Sequence, residues 1–286
     1  MKFRKFKKSS RNITRNEDIM HELHLPLYTY LQKIRNTKPL IHHITNWVSI
    51  ADCANIVRLT GGLPIMAHAK EEVADMVKLS DALVLNIGTL TSELVESMKI
   101  AAKAANEKGI PVILDAVGVG ATSFRDKKAF ELLDECYINI IKGNASEIAK
   151  LAGEDVVTKG VEAVDIQLDL VQVAKKLAKD KNATVVITAP EDIVVWKDNV
   201  YVVKNGHPLM GQIVGTGCMA ASVIGCFCAI DKDYGKSCAA GLSVYEIAAE
   251  KSARETLTPF AFKQNFFDEL FKMDEVCDWM QKIFAL

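Results

Sequence analysis

Four short, largely apolar runs constrain this chain most: Ala82-Leu83-Val84-Leu85, Pro111-Val112-Ile113-Leu114, Ile138-Asn139-Ile140-Ile141 and Ala183-Thr184-Val185-Val186-Ile187. A strand with one wet face alternates apolar and polar residues. These runs do not, so both of their faces must be covered. Segments of helical period separate them: 92–108 ends at Gly109, 124–136 leads into the third run, and a helix is expected over 161–179 before the fourth. Strand and helix alternating at this spacing specify an α/β fold, a mostly parallel central sheet with helices on both faces.

The rest of the chain keeps to this scheme. A helix is expected over 28–35 and a strand over 38–44; Thr45 and Asn46 are placed to cap a helix that reaches Leu59 and stops at Gly61-Gly62. Residues 64–67 read as a short buried strand, 71–79 as a helix, and 193–196 with 200–203 as an edge hairpin. Helices are expected over 216–230, over 234–254 and from 259 to the C-terminus. Without a linker or a repeat, residues 23–286 read as one domain. Residues 1–22 stand apart, since seven lysines and arginines precede the first acidic residue, Glu17. A solvated, disordered extension is the simplest reading, and the basic, acid-poor composition also suits an organelle transit peptide.

In an open α/β sheet, ligands bind beyond the carboxyl ends of the strands, and here those ends are polar. The runs finish in Asn86-Ile87-Gly88-Thr89, in Asp115 ahead of Gly118-Val119-Gly120, in Lys142-Gly143-Asn144-Ala145-Ser146-Glu147, and in Thr188. A further constellation is the glycine turn Gly215-Thr216-Gly217-Cys218, which feeds an apolar helix. The first amides of a helix lack intrahelical acceptors, and the helix dipole adds roughly half a positive charge there, so the turn reads as an anion cradle. The same field is expected to pull the Cys218 thiol below its ordinary pKa of about 8.5.

A phosphoryl transferase works mainly by positioning and by neutralising charge, and this rim holds the parts. Asp115 and Glu147 are suited to hold Mg²⁺, mostly through water, with Asn144 as a further oxygen ligand. Lys142 is suited to meet a triphosphate, and 215–218 to cradle the transferred group. Taken singly, Asn144 reads equally as a helix N-cap, Glu147 as its capping-box partner and Lys142 as a strand-end charge.

Other chemistries find less support. There is no Gly-x-x-x-x-Gly-Lys-Ser/Thr loop and no Gly-x-Ser-x-Gly elbow, and Gly118-x-Gly120 lacks the third spaced glycine of a dinucleotide fingerprint. His42-His43 has no spaced carboxylate or cysteine partner, so packing or substrate contact suits it better than zinc. A net charge of −1 speaks against nucleic-acid or membrane-surface partners. No apolar run reaches the length of about 18 residues that a membrane span needs. Seven cysteines without disulfide or metal spacing point to a reducing cytoplasm.

Several of these stretches, in this order, resemble the hydroxyethylthiazole kinases, members of the ribokinase-like fold. They are Pro39-Leu40-Ile41-His42-His43-Ile44-Thr45-Asn46-Trp47-Val48, Gly62-Leu63-Pro64-Ile65-Met66-Ala67, Leu83-Val84-Leu85-Asn86-Ile87-Gly88-Thr89-Leu90, the segment from Leu114 to Thr122, Lys142-Gly143-Asn144-Ala145-Ser146-Glu147-Ile148, and Gly215-Thr216-Gly217-Cys218. Most ribokinase-like enzymes carry an aspartate where Cys218 stands; a cysteine there is similar to the thiazole kinases. The resemblance implies a ribokinase-like three-layer sandwich and ATP- and Mg²⁺-dependent phosphorylation of 4-methyl-5-(2-hydroxyethyl)thiazole in thiamine synthesis or salvage. It implies that Met66, Gly215 and Asn46 line the thiazole site and that Cys218 faces the acceptor hydroxyl. Lys142, Thr188 and Gly217 would meet ATP, and Asp115 and Glu147 with Asn144 would organise Mg²⁺. A cytoplasmic homotrimer with the site at the subunit interface is also implied.

The chain departs from the family at three places. Lys142 replaces an arginine, which loses a planar, bidentate grip on phosphate. Ala189-Pro190 follows Thr188 where glycine is usual, and Val214 replaces a threonine before Gly215. These departures leave open a catalytically weak homologue that binds thiazole or nucleotide, and a kinase acting on another hydroxyalkyl heterocycle.

Overall fold

The structure is a computed structural model and describes residues 20–154 and 168–286. In chain order the elements are β1 (His21–Glu22), α1 (Leu27–Thr37), β2 (Leu40–Ile44), α2 (Ile50–Thr60), β3 (Leu63–Ile65), α3 (Val73–Leu79), β4 (Ala82–Asn86), α4 (Ser92–Lys108), β5 (Val112–Asp115), α5 (Ser123–Glu135), β6 (Ile140–Asn144) and α6 (Ala145–Leu151). There follow α7 (Leu170–Lys181), β7 (Thr184–Thr188), β8 (Asp192–Trp196), β9 (Asn199–Val203), a 3-10 turn (Pro208–Gln212), α8 (Thr216–Ile230), α9 (Tyr234–Glu255), α10 (Pro259–Phe271), α11 (Cys277–Met280) and β10 (Ile283–Ala285). The described strands form one sheet in the order β1-β10-β9-β8-β7-β6-β5-β4-β2-β3. From β3 to β7 neighbouring strands run parallel; from β7 to β1 they run antiparallel.

Both faces are covered, which is why the apolar runs do not alternate. In β4, Ala82 and Val84 pack into a core with α1, α2, α8, α9 and α10, while Leu83 and Leu85 pack into a second core with α3 to α7. Ile113 and Val112, Ile140 and Ile141, and Val186 and Val185 divide between the same two cores. Each large aliphatic side chain so buried contributes about 1.5–3 kcal/mol relative to exposure. Helix α8 approaches the sheet most closely at Gly225, where a Cβ would lie 3.0 Å from Val84 and 3.3 Å from Ile41. Tyr245 Oη in α9 donates to the Thr216 carbonyl at 2.9 Å, so the first turn of α8 is pinned to its neighbour.

Four expectations need correction. The hairpin β8–β9 forms, but it is not at the edge: β10 pairs with β9 and β1 pairs with β10. The C-terminal stretch is therefore two helices followed by a strand, because Lys272 to Asp274 and Gln281 break the helical period and the last residues find an unpaired sheet edge. Since His21 and Glu22 pair with Ala285 and Phe284, the domain begins before residue 23; residues 1–19 lie outside the described residues. The helix expected over 161–179 begins at Leu170, capped by Asp169, whose carboxylate accepts the amides of Val171 and Gln172; residues 155–167 lie outside the described residues.

Candidate active site

The order in which strands are added reverses between β2 and β4: β3 lies on one side of β2, and the chain then builds away from it on the other side through β4 to β7. Ligands in such folds bind at the carboxyl ends of the strands beside that switch. Asn46 follows β2 and Asn86 ends β4, and Asn46 Nδ2 donates to Asn86 Oδ1 across the switch at 2.9 Å. Asn86 stands opposite Asp115 in the register of β4 and β5, and Asp115 stands opposite Lys142 in that of β5 and β6. Asn86 Nδ2 donates to Asp115 Oδ2 at 2.6 Å, and Lys142 Nζ donates to Asp115 Oδ1 at 3.0 Å.

The chain of contacts closes on the glycine turn. Asn46 Nδ2 also donates to Cys218 Sγ at 3.4 Å, and a Cβ on Gly217 would lie 3.1 Å from Lys142 Nζ. Asn46 Oδ1 accepts the amides of Val48 and Ser49 and the Ser49 hydroxyl, which folds the turn ahead of α2. That helix accordingly starts at Ile50 with Ser49 at the cap position, and Asn46 does not cap it directly as expected. Ser49 is where the turn and the glycine loop meet. Gly215 has φ +92°, and a Cβ there would strike Ser49 Cβ at 2.8 Å, so only glycine fits. Helix α8 has no side-chain cap at its N-terminus, leaving its first amides as donors beside Lys142.

Asp115 is fully buried and Lys142 almost so. Burial works most strongly on the Lys142 ammonium and lowers it, but the charge of Asp115, the neighbouring Cys218 and Glu147 and the Asp115 hydrogen bond together hold the lysine above its ordinary value. Burial likewise raises Asp115, opposed by Lys142 and the Asn86 amide. Cys218 reverses the expectation drawn from its place near a helix N-terminus. Burial and the neighbouring Asp115 charge push its thiol above the ordinary range, and Lys142 only partly offsets them. The thiol is neutral near pH 7.

At the end of β6, Asn144 and Glu147 form a capping box. Asn144 Oδ1 accepts the Glu147 amide at 3.0 Å and the Ser146 hydroxyl at 2.8 Å, while Glu147 Oε2 accepts the Asn144 amide at 2.7 Å. Glu147 Oε1 accepts the Gly118 amide at 2.7 Å and so ties α6 to the loop after β5. Burial raises Glu147 to about 7 against the pull of those amides and of Lys142. Thr188 stands opposite Asn144 in the β6–β7 register and donates to the Gly143 carbonyl at 3.3 Å. Lys142, Gly217, Asn144, Glu147 and Thr188 therefore share one stretch of rim.

Among the described residues no group of three or more His, Cys, Asp or Glu side chains could hold a metal ion. Asp115 is fully buried, and its oxygens accept one hydrogen bond each, from Lys142 and from Asn86. Each Glu147 oxygen accepts one amide and keeps a second lone pair, which fits an acceptor for the waters of a hydrated Mg²⁺ better than an inner ligand.

Met66 follows β3 and is half-buried against the α8 core. The loop it begins is held to the end of β2 by His68, which accepts the Thr45 amide and lies tilted against the Trp47 ring at 4.8 Å. His42 and His43 are packing residues: His42 Nε2 contacts the Ala67 carbonyl, His43 Nε2 contacts Ser222 Oγ, and burial lowers His43 to about 4. Asn86 was legible only as a polar residue ending an apolar run. Ser49 and Arg125 carried no sequence signal. Arg125 donates to the carbonyls of Ile87, Gly88 and Val117, clamping the loops after β4 and β5.

Comparison with known proteins agrees with this geometry. The model of the hydroxyethylthiazole kinase family matches residues 31–276. A hydroxyethylthiazole kinase from Methanosarcina acetivorans is 56% identical over 245 residues, covering 86% of this chain and 94% of that protein. The solved structure of the hydroxyethylthiazole kinase protein from Pyrococcus horikoshii OT3 superposes with a TM-score of 0.83 at 34% identity, covering 91% of this chain and 98% of that one. A ribokinase-like superfamily protein from Enterococcus faecalis V583 shares the fold alone, with a TM-score of 0.59 at 13% identity over 82% of this chain and 87% of that one.

Proposed function

The chain belongs to the hydroxyethylthiazole kinase family, and from that premise we propose that it transfers the γ-phosphoryl group of ATP to the primary hydroxyl of 4-methyl-5-(2-hydroxyethyl)thiazole, a step of thiamine synthesis or salvage. The observation that carries this reading is the closed chain of contacts Cys218–Asn46–Asn86–Asp115–Lys142–Gly217, which sets an acceptor pocket and a phosphate cradle side by side. The thiazole lies against Met66, Asn46 and Gly215 with its hydroxyl toward Cys218. The nucleotide lies along Thr188, Lys142 and Gly217. Lys142 and the first amides of α8 neutralise charge on the transferred group, where preorganised donors contribute most.

The transition state of phosphoryl transfer is loose and asks for little negative charge on the attacking oxygen. A neutral thiol suits that demand: Cys218 orients the hydroxyl as a hydrogen-bond partner, held in place by Asn46. Mg²⁺ would enter with ATP and offset the charge of its phosphates, and Glu147 would hold it through water. Asn144 shapes this end by capping α6, and Asp115 acts through Lys142.

We also place the protein in the cytoplasm and assign it a homotrimeric assembly with the acceptor pocket at the interface. In support, Trp47, Val48 and Val214 are 57%, 68% and 74% exposed and flank the Ser49–Gly215 contact, an apolar rim suited to a neighbouring subunit. Among the described residues no helix is long and apolar enough to cross a membrane.

The test is ADP release from MgATP with hydroxyethylthiazole, with hydroxymethylpyrimidine and with no acceptor. Turnover with the thiazole alone is expected. Thiazole binding without turnover would turn the reading toward a binding homologue, and turnover on the pyrimidine toward another acceptor.

A further inference from the structure

Asp192 and Glu246 lie outside the machinery described above, and their chemistry is unusual. Asp192 opens β8, directly after the turn that follows Thr188; Glu246 lies on α9. They are 3% and 7% exposed. Their side chains are within hydrogen-bonding reach of each other, yet Asp192 Oδ2 and Glu246 Oε2 are both buried without a donor. Two neighbouring buried carboxyls that lack other donors satisfy each other only with a proton between them. Asp192 Oδ1 accepts the Ala189 amide at 2.9 Å, so the pair holds the turn behind Thr188.

Among the described residues no ammonium hydrogen-bonds to either carboxyl, and Lys282 acts on Glu246 through its charge alone. Glu250, one turn along α9, accepts from the Lys282 ammonium ahead of β10 at 2.8 Å and from the Asn205 amide group and Gly206 amide. Lys142 on β6 acts on Asp192 through its charge alone and is committed to Asp115. The Lys204–Glu191 bridge lies at the surface. Gly206, beside Glu246 Oε2, belongs to the segment that leads to the glycine turn. The pair thus joins the two loops that flank the proposed nucleotide site.

We propose that Asp192 and Glu246 share one proton and act as a positioning pair, fastening the turn at 188–192 to α9 so that Thr188 is set for ATP. The inference rests on the nucleotide reading of Thr188. Burial and the Asp192 charge raise Glu246 well above the ordinary carboxyl range, and burial raises Asp192 to about 6, so the pair keeps its proton at neutral pH. Rising pH removes it, leaves two buried anions in contact, and drives the turn away from α9. ATP binds more weakly as a result, while the thiazole, on the other side of the rim, is unaffected.

The experiment is calorimetric binding of MgATP and of thiazole to the full chain from neutral to alkaline pH, for the wild type, Glu246→Gln and Asp192→Asn. In either variant an amide donates permanently to the remaining carboxylate. Wild-type ATP affinity is expected to fall about tenfold at alkaline pH, the scale of an unsatisfied buried group, and the variants to lose that dependence. Each variant serves if the other fails to fold. A wild-type ATP affinity that ignores pH overturns the pair alone, as does a dependence that persists in both variants or appears equally for thiazole. A protein that binds no MgATP at any pH overturns the nucleotide reading and the pair with it.

Discussion

Asp115 and Asp192 meet the same problem with only two strands between them, and the rim solves it in two ways. Both carboxyls are buried at the end of the sheet that carries the site. Asp115 receives an ammonium and an amide, Lys142 and Asn86; Asp192 receives a second carboxyl, Glu246, and the Ala189 amide. The first solution sets an ammonium against the carboxylate and presents the lysine to the phosphate cradle. The second keeps no net cation and depends on a proton. Where charge must work on a substrate, the fold supplies a counter-ion. Where a loop must only be held, a shared proton suffices.

The comparison breaks most visibly at Lys142. Lys142→Met leaves Asp115 buried and unpaired, and removing one partner of a buried pair costs about 3–5 kcal/mol. Unfolding midpoints should show that loss, and turnover should collapse. Removing the whole pair, as Lys142→Met with Asp115→Asn, should recover most of the stability and none of the turnover. Equal stability in the single and double variants would mean that Asp115 is not charged in the fold.

Glu147 sharpens the same point through pH. Its carboxyl has no lysine of its own, and burial raises it from 4.5 to about 7. A carboxyl raised in the folded state holds its proton more tightly there than in the unfolded chain. Its contribution therefore favours folding at low pH and is lost as pH rises from about 4.5 to about 7, on the order of 3 kcal/mol in all. Glu147→Gln should flatten stability across that window while costing about 1 kcal/mol for the capping box. An unchanged slope in the variant would assign the dependence elsewhere.

Much of the rim was legible because a polar residue that ends an apolar run is conspicuous: Asn86, Asp115, Lys142 and Thr188 all stand out this way. The pattern Asn144-x-x-Glu147 announced a capping box, and the structure has one. What stayed hidden depends on register and depth. That Asp115 faces Lys142 follows from how β5 and β6 align, and that Asp192 meets Glu246 follows from where α9 crosses the sheet; neither pairing leaves a local signal. The Cys218 thiol shows the same limit, since the helix N-terminus is visible in the sequence and its burial beside Asp115 is not. The edge strand β1 and its neighbour β10 are too short to show a period.

Cys218 gives the next smaller effect. With a neutral thiol that orients the hydroxyl, Cys218→Ala should lower kcat by about tenfold, at or below the range of general acid–base contributions, and move thiazole affinity less. The rate should show no rise with pH attributable to a thiolate. A loss of several orders of magnitude would mean that sulfur acts as a base after all.

The smallest effect lies in a partly exposed cluster away from the rim and runs opposite in sign to that of Glu147. Lys99 bridges Glu96, Glu131 and Glu135 between α4 and α5, at 2.6, 2.7 and 3.4 Å. Its partnership with Glu131, joined by Lys128, lowers Glu131 to about 2. A carboxyl lowered in the folded state contributes stability above its unfolded value of about 4.5 and loses it as pH falls toward 2. Because water and salt reach this cluster, Glu131→Gln should cost no more than about 1 kcal/mol at neutral pH, shrinking as salt is added. The variant should converge on the wild type in acid, where Glu147 has the opposite influence. If Glu131→Gln cost as much as Lys142→Met, burial would not be what separates the pairs of the rim from those of the surface.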